Sequence, residues 1–413
     1  MKHQIAIVLN LGGSKALTVA KRIRECGVYS EVYPYTISKE ELEAINPQGI
    51  LITGSCETVH ATAEERIPWL KEMGCPTLEV GSGTPLSIEA LAGGVGKKCL
   101  DNFLKITCNC TGDFSLQQFI EATTEELKEK IGNNKVAVAV TGGVDSAVTA
   151  ALLARAVGKR CTAVLIDTGL LRKGEAEETV KMMKGMDLNF VKVNAETKFM
   201  FKLLGIDDPL RKKAIINTEY AAIFEGEAAK ADCDVWAQST IYTDLLVNHT
   251  LPFQKQPKEI LEPLKYLFKD EVYQLATLLG LPETVLSRNS FPLYGLATRC
   301  IGGITMERLN IVREADAIFC QEIKKAKLDK HMNQYFASIA NFKSAAIRGG
   351  RQTYEYTLIL RAVFTNDYVS AEPAAISHDI LQAISRRITT EIGGVGRVLL
   401  DVTSTPPAAI ELE

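Results

Sequence analysis

Val136-Ala-Val-Ala-Val-Thr-Gly-Gly-Val-Asp-Ser146 decides the fold of this chain. The run 136–140 is wholly apolar and reads as a strand buried on both faces, the pattern of an inner strand in a parallel sheet. It runs directly into Gly142-Gly143, and a helix is predicted from there to about residue 157. Two glycines let the backbone approach an anion with no Cβ in the way. The first N–H groups of the helix have no intrahelical acceptor, and the helix dipole makes that end attractive to negative charge. Strand, Gly-Gly turn and helix therefore form a phosphate cradle, to which Thr141 and Ser146 can add hydroxyl donors. It is not a Walker A loop, because no Gly-Lys-Ser/Thr follows. A strand–turn–helix with glycines for geometry alone is the competing reading.

Working outward, strands are predicted at 162–167, 188–193 and 234–237, with helices at 175–184, 208–230 and 267–279 between and beyond them. Short apolar strands alternating with helices predict βαβ units and a parallel sheet. The second strand ends at Asp167-Thr-Gly-Leu-Leu-Arg172. Ligands of open parallel sheets sit beyond the carboxyl ends of the strands. That places Asp167 and Gly169 to line a nucleotide pocket, with Arg172 in reach of an anion. A polar turn at a strand end reads the same way.

Residues 1–95 repeat the alternation, with strands at 5–9, 49–53 and 76–80 and helices at 15–26 and 64–71. Residues 94–113 read as a connector, and 115–131 as a charged helix. From about 304 the order changes to a helix at 306–325, a strand at 354–364, a helix at 378–392 and a strand at 396–403. That mixed order predicts a small α+β domain.

At 413 residues the chain is long enough for two or three domains. A net charge of -3 and a pI of about 6.1 argue against nucleic-acid and anionic-membrane partners. No signal peptide or apolar span is expected, and the expected location is the cytoplasm. The ten cysteines make no Cys-x2-Cys framework and the five histidines no metal-ligand pair, so the thiols are expected to be reduced and buried.

TGGVDS resembles the S-G-G-x-D-S loop of the N-type ATP pyrophosphatases (PP-loop family). There the loop holds the departing pyrophosphate while a substrate oxygen attacks the α-phosphate. The resemblance implies ATP and Mg²⁺ as cofactors, Asp145 as the acid that helps hold the metal, and Thr141, Gly142, Gly143, Val144, Asp145, Ser146 and Ala147 as the nucleotide loop. Longer stretches resemble the GMP synthase family: IDTGLLRKGEAE (166–177), GIDDPLRKKAII (205–216), AQSTIYTD (237–244) and LEPLKYLFKDEV (261–272). FLKITCNCTGDFS (103–115), ITMERLNIVREAD (304–316), GRQTYEYTLILRAV (350–363) and GRVLLDVTSTPPAAIELE (396–413) agree.

The resemblance implies an α/β fold in three parts. They are a truncated amidotransferase-like domain over 1–107, a parallel-sheet ATP pyrophosphatase domain over 108–300, and an α+β dimerisation domain over 301–413. It implies adenylation of XMP or a related purine, amination by ammonia, and a homodimer. Asp145, Lys269 and Asp270 are assigned to catalysis, and Arg172, Arg288, Arg299 and Glu411 to the substrate. A solvated helix residue would explain Lys269 equally well.

The N-terminal part resembles a class I glutamine amidotransferase over 5–35 and 46–55. Where the family's nucleophile elbow carries Cys, this chain reads Val80-Gly-Ser-Gly-Thr-Pro85, and it then passes from Gly94 to GKKCLDNFL, which matches the far end of that domain. No His is followed two positions later by Glu. Such a glutaminase needs Cys, His and Glu together, so glutamine hydrolysis is not expected and a separate glutaminase is a possible partner. The substrate side departs as well, with Asn289, Leu293-Tyr294 and Thr405 where the family has His, Gly-Pro and Lys, and a shorter lid over 248–258. Two other readings stay open: a PP-loop sulfur transferase, with Cys300 as its candidate thiol, and a non-catalytic nucleotide-binding paralogue.

Overall fold

The computed structural model describes residues 4–12, 15–54, 67–81, 86–87, 90–91, 93–245, 252–286, 288, 291–365 and 370–413. It divides into two compact units. One comprises Met1–Glu126, Thr240–Val247 and Leu264–Leu278; the other comprises Leu127–Ser239, Asn248–Pro263 and Leu279–Glu413.

In the first unit, alternate residues of β1 (Ile5–Asn10) enter different cores. Ala6 and Val8 pack with Val19, Ile23 and Leu100, whereas Ile5, Ile7 and Leu9 pack with Leu42 and Leu70. A strand covered on both faces belongs in a parallel sheet. With β2 (Tyr29–Pro34), β3 (Gly49–Thr53) and β4 (Thr77–Val80), it forms one, in the order β2-β1-β3-β4. Helix Ala16–Glu25 buries Ala16, Val19, Ala20 and Ile23, an apolar stripe at helical spacing. Helix Lys39–Ile45 starts on a capping box between Ser38 and Glu41.

Two expectations change here. The helix expected over 64–71 is a 3-10 helix at Pro68–Met73, with 64–66 outside the described residues. The expected connector after Gly94 begins as helix Gly94–Asn102 and a π-helical turn, Phe103–Thr107. Gly96, Leu100, Phe103 and Leu104 are buried at spacings of four, seven and eight, a helical stripe that the local glycines disguise. Cys108 and Cys110 follow, both buried. A Cβ on Gly49 would lie 2.4 Å from the Cys108 Sγ, so a glycine is what that packing allows.

The second unit holds β5 (Val136–Val140), β6 (Cys161–Asp167), β7 (Asn189–Asn194), β8 (Val235–Ala237) and β9 (Glu259–Leu261) in a parallel sheet ordered β7-β6-β5-β8-β9. The strand order reverses between β5 and β8, the position where open α/β sheets bind ligands. The same unit carries β10 (Gln334–Arg348), β11 (Arg351–Phe364), β12 (Glu372–Pro373) and β13 (Val395–Asp401). β10 and β11 are an antiparallel hairpin closed at Gly349-Gly350, both at positive φ, and β13 runs parallel to β11. Helices Met306–Lys325 and His378–Glu391 contribute Phe319, Ile323, Ile384 and Ile388 to a core with Tyr335 and Leu358. The sequence offers no sign of β10, because Tyr335–Ala340 is buried without interruption and the period-two alternation is lost.

Candidate active site

β5 delivers Thr141 to the switch point, and helix Val144–Val157 begins at once with Gly143 as its N-cap. Gly142 has φ +86°, and a Cβ there would meet Thr179 Oγ1 at 2.8 Å and Arg288 Nη1 at 2.9 Å. Only glycine fits this turn. The Ser146 hydroxyl accepts from the Thr141 N–H at 3.1 Å and donates to the Gly143 carbonyl at 3.0 Å. Ser146 was expected to offer its hydroxyl to the nucleotide; with both hydrogen bonds made inside the loop, it braces the turn instead. No protein acceptor meets the N–H groups of Gly142 and Gly143 among the described residues. Asp145 is half-buried in the first helical turn.

Beside the turn, Arg288 donates through Nη1 to the Gly142 carbonyl at 2.6 Å, and it forms ion pairs with Glu178 and, at 3.5 Å, Glu175. Glu175 is 4 % exposed. Burial pushes its carboxyl above the usual range, against the pull of Arg172 and Arg288. These groups line a cavity of about 190 Å³ together with Lys173, Asp316 and Lys324. Four cations (Arg172, Lys173, Arg288 and Lys324) and three carboxylates (Glu175, Glu178 and Asp316) line it, so its charge is nearly balanced before any ligand enters.

Arg172 pairs with Asp316 at 3.3 Å and lies over the Phe291 ring at 4.3 Å. Arg299, 0 % exposed, pairs with Asp316 at 3.1 Å and with Glu411 at 3.4 Å. The sequence reading gave Arg299 and Glu411 to the substrate; here they bind each other. Asp167 pairs with Lys192 at 3.0 Å and accepts from the Gly169 N–H at 3.3 Å. Lys269 and Asp270 belong to the first unit, where Asp270 pairs with Lys21 at 3.0 Å.

Sequence reasoning missed three groups. Lys212, 2 % exposed, donates to the Cys300 carbonyl at 2.8 Å and pairs with Glu413. Arg313 donates to the carbonyls of Gly169 and, at 3.1 Å, Leu171. Glu175 and Glu178 hold Arg288. Each lies in or next to a stretch that marks the family, but its partner is far off in sequence. Cys300, the candidate sulfur carrier, is fully buried and burial raises its thiol pKa, the opposite of a reactive thiolate. The region 82–85, with Ser82 and Gly83 at the elbow, as well as Asn289 and residues 248–251 of the lid, lie outside the described residues.

A family model described as NAD synthase matches residues 116–208, one described as glutamine amidotransferase class-I matches 7–146, and one described as GMP synthase C terminal domain matches 321–412. A GMP synthase (glutamine-hydrolyzing) of Clostridium botulinum is 36% identical, with 100% of both chains covered. Its counterpart in Acetivibrio thermocellus is 35% identical, again over 100% of both chains. The first alignment runs over 516 positions, 103 more than the 413 residues here, so that many have no counterpart in this chain. Among solved structures, an NH3-dependent NAD synthetase from Campylobacter jejuni matches with a TM-score of 0.37 and 17% identity, covering 53% of this chain and 86% of that one.

Proposed function

This chain belongs to the GMP synthase family, and from that premise we propose that it aminates XMP with free ammonia rather than with nitrogen from glutamine. Members of the family are ligases that form a C–N bond while ATP is converted to AMP and pyrophosphate. In the proposed reaction, the purine C2 oxygen attacks the α-phosphorus of ATP. The bond to the β-phosphate breaks, and pyrophosphate leaves. Ammonia then adds at C2, the C–O bond to AMP breaks, and the amine loses a proton. The logic is leaving-group conversion, for AMP departs where an oxo group would not.

The observation that carries the nucleotide part is the Gly142-Gly143 turn at the switch point of the sheet, whose N–H groups meet no protein acceptor among the described residues. Those N–H groups suit pyrophosphate, because fixed donors stabilise charge as it develops. Among the described residues no three His, Cys, Asp or Glu side chains cluster as a metal cage. Mg²⁺ on phosphates needs only one or two carboxylates, and Asp145 fits that smaller demand; the metal would neutralise phosphate charge. We assign the nucleotide to Thr141–Ala147, Asp167 and Gly169, and XMP to the neighbourhood of Arg172 and the 288–299 loop, and we keep Lys269 and Asp270 as the catalytic candidates. The three parts are taken as 1–107, 108–300 and 301–413. A homodimer through the last part is supported by the exposure of Phe342, Ile347 and Tyr354 on its sheet.

For ammonia the support is residues 80–85, which offer no Cys, and the 103 unmatched positions. The test is to supply MgATP and XMP with either ammonium or glutamine. GMP, AMP and pyrophosphate from ammonium alone are expected. Equal GMP from glutamine without added ammonium would overturn the donor assignment, and AMP only with some other acceptor would overturn XMP.

A further inference from the structure

The loop that carries Arg288 belongs by resemblance to the acceptor side of the site, yet the Arg288 side chain is turned towards the nucleotide loop. Its Nη1 donates to the Gly142 carbonyl at 2.6 Å. A trans peptide holds its C=O and the following N–H on opposite sides. A donor that fixes the Gly142 carbonyl therefore also fixes the direction of the Gly143 N–H, which must point away from the guanidinium. The next peptide is fixed in the same manner: the Gly143 carbonyl accepts from Ser146 Oγ at 3.0 Å and from the Ala147 N–H at 3.1 Å. That sets the Val144 N–H. Two successive peptides are thus held by their carbonyls from within the protein, and the Gly143 N–H is left with no protein acceptor among the described residues.

A Gly-Gly turn needs such help. Gly142 sits at φ +86°, and glycine peptides rotate at little cost. Ser146 lies within the motif and braces one peptide; the other depends on a side chain 146 residues away. Arg288 is itself held by Glu178 and Glu175, both on helix Glu175–Lys184 immediately after β6.

We infer that Arg288 is a positioning residue for ATP: it locks the 142–143 peptide so that the Gly143 N–H faces the β- and γ-phosphates, and it does not read the acceptor's phosphate. This rests on the proposed use of the turn for pyrophosphate. It also couples the two halves of the site, since displacement of the 288–299 segment would release the phosphate loop.

The experiment compares wild type, Arg288→Ala, Arg288→Lys and Glu178→Gln in the full-length protein. Calorimetry with MgATP and with magnesium pyrophosphate needs no acceptor, so it tests the loop separately from the reaction. Arg288→Ala should weaken pyrophosphate binding and raise KM for ATP at least about tenfold, leave KM for XMP within about twofold, and recover in part with added guanidinium. Arg288→Lys should recover less than that, because one ammonium cannot serve Gly142 and both carboxylates in the same geometry. Glu178→Gln, which keeps the arginine, guards against a folding defect and should show a smaller change in the same direction. Unchanged pyrophosphate binding in a folded Arg288→Ala protein, or a rise confined to KM for XMP, would overturn the inference. Wild type that binds pyrophosphate but makes no GMP would instead remove the reaction proposed above, with the role of Arg288 in the phosphate loop still supported by the binding data.

Discussion

Arg24 and Glu271 are 247 residues apart in sequence, and 2.8 Å separates Nη1 of one from Oε1 of the other. The pair is buried, with side chains 5% and 11% exposed. The remaining Arg24 donors are met by Ser30 Oγ at 3.1 Å, the Ser30 carbonyl at 2.7 Å and the Tyr266 carbonyl at 2.9 Å. Its guanidinium also lies 4.1 Å from the Tyr29 ring centroid. Around it, Tyr242 and Phe268 enter the same core as Val19 and Ile23. The amidotransferase-like sheet therefore folds as one body with the segments 240–247 and 264–278, the second of which carries Lys269 and Asp270. Whatever became of glutamine hydrolysis, this gives the chain a physical reason to keep the N-terminal part.

Removing one partner of a buried pair leaves the other charged and unpaired. Arg24→Met should destabilise the first unit by about 3–5 kcal/mol. Arg24→Met combined with Glu271→Leu should restore much of that loss, since two apolar side chains need no partners. Urea unfolding followed by tryptophan fluorescence and by circular dichroism checks both. A single mutant within about 0.5 kcal/mol of wild type would show the pair to be incidental.

At Gly142, an alanine would need an unfavourable backbone conformation and would collide with Thr179 Oγ1 and Arg288 Nη1. Gly142→Ala should cost about 1–3 kcal/mol of stability and, through displacement of the turn, on the order of a hundredfold in kcat/KM for ATP. Gly132 offers the control: its φ is also positive, but the nearest neighbour of an added Cβ is 3.8 Å away. Gly132→Ala should therefore share the strain and spare the activity. Equal activity losses in both variants would remove the special role of the turn.

How much of this was legible beforehand depends on where each partner lies. Val136–Ser146 contains its own strand, turn and helix start, so both the parallel sheet and the phosphate loop could be read locally. Arg24 and Glu271 could not: Glu271 sat in a motif read for its neighbours Lys269 and Asp270, and nothing near Arg24 announces a carboxylate 247 residues on. The same holds for Arg288, placed by resemblance on the acceptor side, whose contact with Gly142 exists only in three dimensions. β10 was lost for a different reason, burial on both sides, which erases the alternation that marks a strand.

The cysteines make a chemical prediction. Burial pushes Cys75 up to about 11 and Cys108, Cys161 and Cys320 up to about 12, and it raises Cys26, Cys110, Cys233 and Cys300 as well. Thiolate is the reacting species. Iodoacetamide at pH 8 should therefore modify Cys99, the exposed thiol among those described, and leave these eight nearly untouched in the native protein. Peptide mass spectrometry reads the result. Rapid labelling of Cys300 would reopen the sulfur-transfer reading.

Asp145 decides whether the loop does chemistry or merely has the right shape. The side chain lies in the first turn of helix Val144–Val157, where a negative charge interacts favourably with the helix dipole by about 0.3–1 kcal/mol. Asparagine keeps its size and loses only the charge. Asp145→Asn should thus melt close to wild type while the production of AMP and pyrophosphate falls by about a hundredfold to a thousandfold or more, the scale of losing one preorganised charge from a transition state. Raising the Mg²⁺ concentration should recover part of the rate if the lost charge was holding the metal, whereas a purely structural defect would not respond. Rapid quench with labelled ATP, read beside a thermal melt, separates the cases. Full activity in the variant would strip Asp145 of its assignment, and a collapse in melting temperature that matches the lost activity would make it a residue of the fold.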